Sequence, residues 1–308
     1  MVDYKSLVWK RRLTQKGTDV SYEWESFEDY MADLENIKKH QPACYAATCS
    51  HAQTASWIGT EGGFQGMVGR VVNGWPELRT KLEAMLKDVE LEVPRFPSMT
   101  HTRRRKRSRG DFGDTLTMHK VWSGDLDHAW ERPKRVEKLA LNTKRITLAF
   151  DVTANGFVTN EMAMWRAALC MLLVDSLTRA GRSFEIWITD STGHPFEYGQ
   201  LNAPKNLWTA WCVKRTSDPI VMDRLCSMVS VGFMRCMGFA AEAAGPWTVS
   251  SGFGSALNSG LPHSLRERQS KGECVVRIGE CYNKRQCLEH YKLVWEEIEA
   301  RMAAQEAA

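Results

Sequence analysis

The 308-residue chain contains no G-x-S-x-G elbow, no Walker A loop and no H-E-x-x-H, so the common hydrolase, nucleotide-binding and zinc-protease motifs are missing. No run of about 18 uninterrupted apolar residues occurs, and no membrane span is expected. Residues 162–177 come closest, but Arg166 and Asp175 interrupt them. The opening MVDYKSLVWKRRLTQKG lacks a long apolar stretch followed by small residues, so no secretory signal is expected. The nine cysteines are odd in number and show no tight repeat. Together these features lead to an expectation of reduced thiols and a cytoplasmic protein. His40, Cys44, Cys49 and His51 match no standard zinc spacing.

What is present argues for a globular protein. Hydrophobic residues make up 43% and charged residues 25%, close to the norm for chains that bury a core. Twelve tryptophans promise extensive aromatic packing and an oligomer contact. The net charge is only +4, yet it is unevenly spread. Residues 95–145 hold 14 Lys and Arg against 6 Asp and Glu, a balance of +8; the remainder holds 27 against 31, a balance of −4. A local basic surplus of this kind points to an anionic partner near that segment. Its centre is Arg103-Arg104-Arg105-Lys106-Arg107-Ser108-Arg109. Those six cations suit phosphates or an acidic protein surface, and Trp122 and Trp130 nearby can stack on bases. His119 and His128 sit among Asp125 and Asp127, and a surface cluster explains them better than acid–base work.

Three regions are expected: a mainly helical segment over 1–94, a basic extension over 95–144 and an α/β domain over 145–308. Residues 1–20 read as a polar arm. Ser26 precedes an amphipathic stretch from 27 to about 39 and can cap it. Pro76 suits the first turn of a helix ending near 88. A short strand and a turn are expected around Ser123-Gly124-Asp125.

The C-terminal half alternates short apolar runs with helical stretches, the pattern of a mostly parallel sheet flanked by helices. Strands are expected at 146–151, 184–189, 207–213 and 274–278, and helices over 161–180, capped by Asn160, and from Asp218-Pro219 to about 243. The last helix carries Leu288, Tyr291, Trp295, Ile298 and Met302 on one face.

In such sheets ligands gather at the carboxyl ends of the strands. The first strand ends Asp151-Val152-Thr153-Ala154-Asn155, which resembles the D-x-S-x-S metal-site loop of von Willebrand factor A domains. Ser251-Gly252-Phe253-Gly254-Ser255-Ala256-Leu257 is similar to that family's T-x-x-G-x-A-L segment. Gly279-Glu280 stands where the family has Thr-Asp. The resemblance covers about residues 145–305 and implies a Rossmann-like fold. It also implies a Mg²⁺ site formed by Asp151, Thr153, Asn155, Ser251 and Glu280, able to take an acidic group from a partner. Asn155, Ser251, Gly279 and Glu280 depart from the family pattern. The N-terminal W-x-G and N-G-W-P pieces, followed by the basic segment, resemble uncharacterised phage-encoded proteins.

The expected function is non-enzymatic binding or assembly. The loop face would meet a protein partner or a second copy, and the basic segment would meet nucleic acid or an acidic surface. The rivals are a metal-dependent enzyme acting on nucleic acid, with Asp151 and Glu280 as ligands, and a phage virion or ring-forming structural protein.

Overall fold

Strand β6, Ile146–Asp151, is buried at every position and lies between two parallel neighbours, as its unbroken apolar run requires. In the computed structural model, residues 12–17, 19–49, 62–90, 107–110, 115–116, 118–133, 145–154, 157–193, 205–243 and 260–307 are described. The chain divides into two units, Met1–Arg95 with Lys144–Ala308, and Phe96–Thr143.

The larger unit is built on one six-stranded sheet, in the order β1 (Leu13–Lys16), β2 (Asp19–Trp24), β8 (Asn206–Lys214), β7 (Phe184–Gly193), β6 and β9 (Cys274–Ile278). The β2–β8, β7–β6 and β6–β9 interfaces are parallel; β1–β2 and β7–β8 are antiparallel. The sheet is therefore mixed, with three of its five interfaces parallel. Between β6 and β7 the chain crosses over through helix α6, Asn160–Arg179. Its cap is the Thr159 hydroxyl, which accepts from Met162 N at 3.2 Å, one residue before the expected Asn160. Asn160 is instead the first helical residue.

The N-terminal segment supplies helices and also two strands of this sheet, where the sequence suggested a polar arm. Val20, Tyr22 and Trp24 of β2 are buried. Helix α1, Phe27–His40, follows with Ser26 as its cap, the hydroxyl accepting from Asp29 N. Helices α2 (Pro42–Cys49), α3 (Gly63–Asn73) and α4 (Pro76–Glu90) complete the segment.

Successive residues of β8 face opposite sides of the sheet. Ala210 and Cys212 join Ala149, Trp187 and Val275 in packing against Leu261 and Leu265. Leu265 belongs to helix α9, His263–Ser270. On the other side, Trp211 stacks on Trp24 with centroids 5.6 Å apart and planes 10° from parallel. Tyr30 and Phe233 meet Trp211 edge-on. Helix α10, Lys284–Ala307, is tied to α6 by the Tyr291 hydroxyl donating to Ser176 Oγ.

The expected single helix after Asp218-Pro219 is broken. Asp218 instead closes a turn by accepting from Arg215 N. Helix α7 runs Met222–Met228, and α8 begins at Val231–Phe233 after a new cap at Ser230. Helix α8 then passes through a π turn, Met234–Gly238, before Phe239–Ala243. The Tyr30 hydroxyl donates to the Met237 carbonyl within that turn, a side-chain bond to a carbonyl in irregular helix geometry. No single helix among the described residues is long and apolar enough to cross a membrane.

The smaller unit holds an antiparallel sheet in the order β3 (Arg107–Gly110), β5 (Trp130–Pro133), β4 (Thr115–Leu116). Short strands lie at Thr115–Leu116 and Trp130–Pro133, on either side of helix α5, Met118–Trp122, which precedes the expected turn. The turn after it is present, with Gly124 at φ 79°, a conformation glycine adopts without strain.

Candidate functional site at the end of strand β6

Asp151 is the last residue of β6 and is fully buried. Its Oδ1 accepts from the backbone N of Thr153 at 3.0 Å and from the Thr153 hydroxyl at 2.5 Å. This is the local turn that an aspartate makes with the residue two positions on. Its Oδ2 receives Nη2 of Arg277 at 2.5 Å. Arg277 reaches it from β9, where it is paired with Ala149 of β6. A second arginine holds the loop from beneath. Arg166 of α6 is fully buried and donates through Nη1 to the carbonyls of Asp151 and Thr153, at 3.1 and 2.8 Å. Burial lowers its proton affinity, and the charges of Asp151 and Glu280 work against that.

Beside this loop lies a pair of buried acids. Asp190 of β7 and Glu242 of α8 are both buried. Asp190 Oδ1 is 2.9 Å from the Thr153 hydroxyl, which also accepts from Ser191 N at 2.8 Å. A hydroxyl has one proton, so Thr153 can donate to Asp151 or to Asp190 but not to both. Burial pushes the Asp190 carboxyl up to about 6, with the charge of Asp151 adding to the effect. Burial and then the charge of Asp190 push Glu242 well above the ordinary carboxyl range. Two buried acids whose charges act on each other titrate as a pair, and the first proton is lost only well above the ordinary carboxyl range. Gly238 keeps the approach open, since a Cβ there would lie 3.5 Å from Asp190 Oδ2 and 2.5 Å from the Met234 sulfur.

This pair gives a pH dependence of known sign. A carboxyl whose folded pKa is raised contributes stability that is complete below its unfolded pKa and is lost as pH rises through the folded value. Stability from Asp190 should therefore fall between its unfolded value of 3.8 and about 6, and that from Glu242 should continue to fall above this window. The Glu242→Gln variant should lose less stability than the wild type across that range in urea unfolding. Parallel pH profiles for the two proteins would show that the two acids do not titrate as a pair.

Of the residues singled out by sequence, Asp151 and Thr153 sit together, as just described. Glu280, just after β9, is half-buried and pairs with the Tyr282 side chain, with its charge acting on Arg166. Asn155 and Ser251 lie outside the described residues. So do Arg103, Arg104, Arg105 and Lys106, whereas the backbones of Arg107 and Arg109 lie in β3 opposite Pro133 and Glu131. Arg277, Ser191 and Glu242 were not anticipated. The signals for two of them were a cation inside the apolar run CVVRI and an acid at the end of an apolar helix.

The described residues do not fit a divalent cation at Asp151. The outward oxygen of its carboxylate already meets a guanidinium, and the Thr153 hydroxyl is committed to two carboxylates and an amide. A hard cation needs open oxygen lone pairs. Among the described residues, no group of three or more His, Cys, Asp and Glu is placed to hold a metal ion.

In the smaller unit, Asp125 accepts from Lys120 Nζ and pairs with His128 Nδ1, both at 2.7 Å, on an exposed surface. Lys120 and then His128 hold the Asp125 carboxyl down at about 2. Close by in sequence, the Trp122 side chain is 79% exposed.

The family model described as Domain of unknown function (DUF7192) matches residues 11–294. The chain therefore belongs to that family. No curated protein and no solved structure matches the chain.

Proposed function

We propose that this member of the DUF7192 family is a non-catalytic binding protein, in which a von Willebrand A-like sheet unit carries a small basic unit that holds single-stranded nucleic acid. The observation that carries this reading is Trp122, a large aromatic left 79% exposed within the basic 96–143 unit. An exposed indole offers a stacking platform for a base, worth about 1–3 kcal/mol, whatever the base is. The cations at 103–109 supply phosphate contacts, which make binding strong at low salt and weak at high salt. The sheet unit acts as a scaffold. Its A-like character is supported by a central strand ending in Asp151-Val152-Thr153, a crossover helix leading to a parallel neighbour, and β9 bringing Glu280 to the same end. The ion pair of Asp151 with Arg277 favours binding over metal-dependent hydrolysis, because it commits the carboxylate that the rival mechanism needs.

The test is fluorescence anisotropy with a labelled single-stranded oligonucleotide. Changing the six cations of 103–109 to glutamine should weaken binding by about a hundredfold at low salt. It should also flatten the salt dependence, since each lost contact to a single strand removes about 0.7 from the log–log slope. Trp122→Ala should weaken binding about tenfold and leave the salt slope unchanged. Unaltered affinity in the charge-neutralised variant would remove the nucleic-acid role.

A further inference from the structure

Asp151 and Thr153 stand together where the A-like resemblance places a divalent cation, yet Asp151 is already neutralised. We infer that the guanidinium of Arg277 is a built-in replacement for that cation, so that the loop after β6 is held in one shape without metal.

Three observations support this assignment. First, Arg277 Nη2 lies 2.5 Å from Asp151 Oδ2, the oxygen that does not accept from Thr153. A cation bound there would have to displace it. Second, a Cβ added at Gly279 would lie 3.6 Å from Arg277 Nη1, at ordinary van der Waals distance, so the guanidinium already occupies the space beside the position where the family pattern has threonine. Third, Arg166 fixes the Asp151 and Thr153 carbonyls from beneath, which supplies the loop restraint that a metal would otherwise give. Arginine suits this role because its guanidinium stays charged at all relevant pH and meets a carboxylate in a defined plane.

The replacement has a testable corollary: removing the arginine should reopen a cation site. Asp151, Asp190, Thr153 and Ser191 would then face one another with oxygen atoms only, a donor set for a hard cation. Thermal unfolding and isothermal titration with Mn²⁺ and with Mg²⁺, after chelator treatment, read this directly in the full chain. The wild type should show no shift. Arg277→Ala should be less stable in chelator and should regain several degrees in Mn²⁺, with binding about tenfold or more tighter than in the wild type. Arg277→Gln, closer in shape, serves if the alanine variant does not fold. Arg277→Lys retains the charge and should gain no metal response. Adding Asp151→Asn to the alanine variant should abolish the gain. The inference is overturned if the wild type binds Mn²⁺ in an Asp151-dependent way, or if neither the alanine nor the glutamine variant responds.

Discussion

Replacing Asp151 with alanine should lower the unfolding free energy by about 3–5 kcal/mol, the range found when one partner of a buried ion pair is removed. The magnitude follows from what the carboxylate holds. It is fully buried, it receives the Arg277 guanidinium at 2.5 Å, and it receives the amide and hydroxyl of Thr153. Alanine would leave Arg277 opposite an apolar group and Arg166 without the negative charge that acts on it most strongly. It would also leave the Thr153 amide without its acceptor, and an unpaired buried donor costs about 1–3 kcal/mol by itself. Asp151→Asn should cost less, because the amide oxygen still accepts from Thr153 while the charge is lost. Urea unfolding with an unchanged slope is the appropriate measure. A loss below about 1 kcal/mol for the alanine variant would mean that Asp151 behaves as an exposed surface acid.

Trp211→Ala should have a comparable effect for a different reason, about 3–5 kcal/mol from lost packing and the cavity left behind. Trp211 is fully buried, stacks on Trp24 and meets Tyr30 and Phe233 edge-on at 5.7 and 5.2 Å. Its Nε1 has no hydrogen-bond partner among the described residues, so the loss should be almost purely one of packing. These four rings come from three separate parts of the chain: Trp24 and Tyr30 from the N-terminal segment, Trp211 from β8, and Phe233 from α8. A double-mutant cycle of Trp211 with Trp24 should show coupling of about 0.5–1.5 kcal/mol. Additive effects would show that β2 does not pack on β8 as one sheet.

The elements that could be read from sequence were those whose own residues decide them. Strand β6 and strand β9 are short apolar runs between polar turns, and both form over the expected residues, Ile146–Asp151 and Cys274–Ile278. Helix α1 announces itself by its Ser26 cap and its apolar face. Strand β2 was hidden because DVSYEW interleaves polar residues whose partners lie far along the chain. Ser21 Oγ accepts from His263 N, the Glu23 carboxylate takes Ser264 N at the start of α9, and Asp19 pairs with Arg266. Nothing local in 19–24 reveals those contacts. The break at Ser230 and the π turn of α8 were hidden for a related reason: Tyr30, some 207 positions away, donates to the Met237 carbonyl.

The candidate site was legible to the same degree. Asp151 and Thr153 form a local motif, and their place at a strand end follows from the apolar run before them. The occupant of the site was not legible, because it depends on register. Arg277 stands beside Ala149 only because β9 pairs with β6 in one particular alignment, and a slip of one residue would turn it to the opposite face. In sequence it is simply a cation interrupting CVVRI. Glu242 and Asp190 are likewise brought together by the path of α8 over the sheet, 52 positions apart by their numbers.

The most direct test of this account is a crystallographic anomalous-difference map from crystals of the wild-type chain grown in Mn²⁺. The account predicts the Arg277 guanidinium against Asp151 Oδ2 and no manganese peak between Asp151, Thr153 and Glu280. A manganese peak coordinated by Asp151, with Arg277 swung away from the carboxylate, would contradict it.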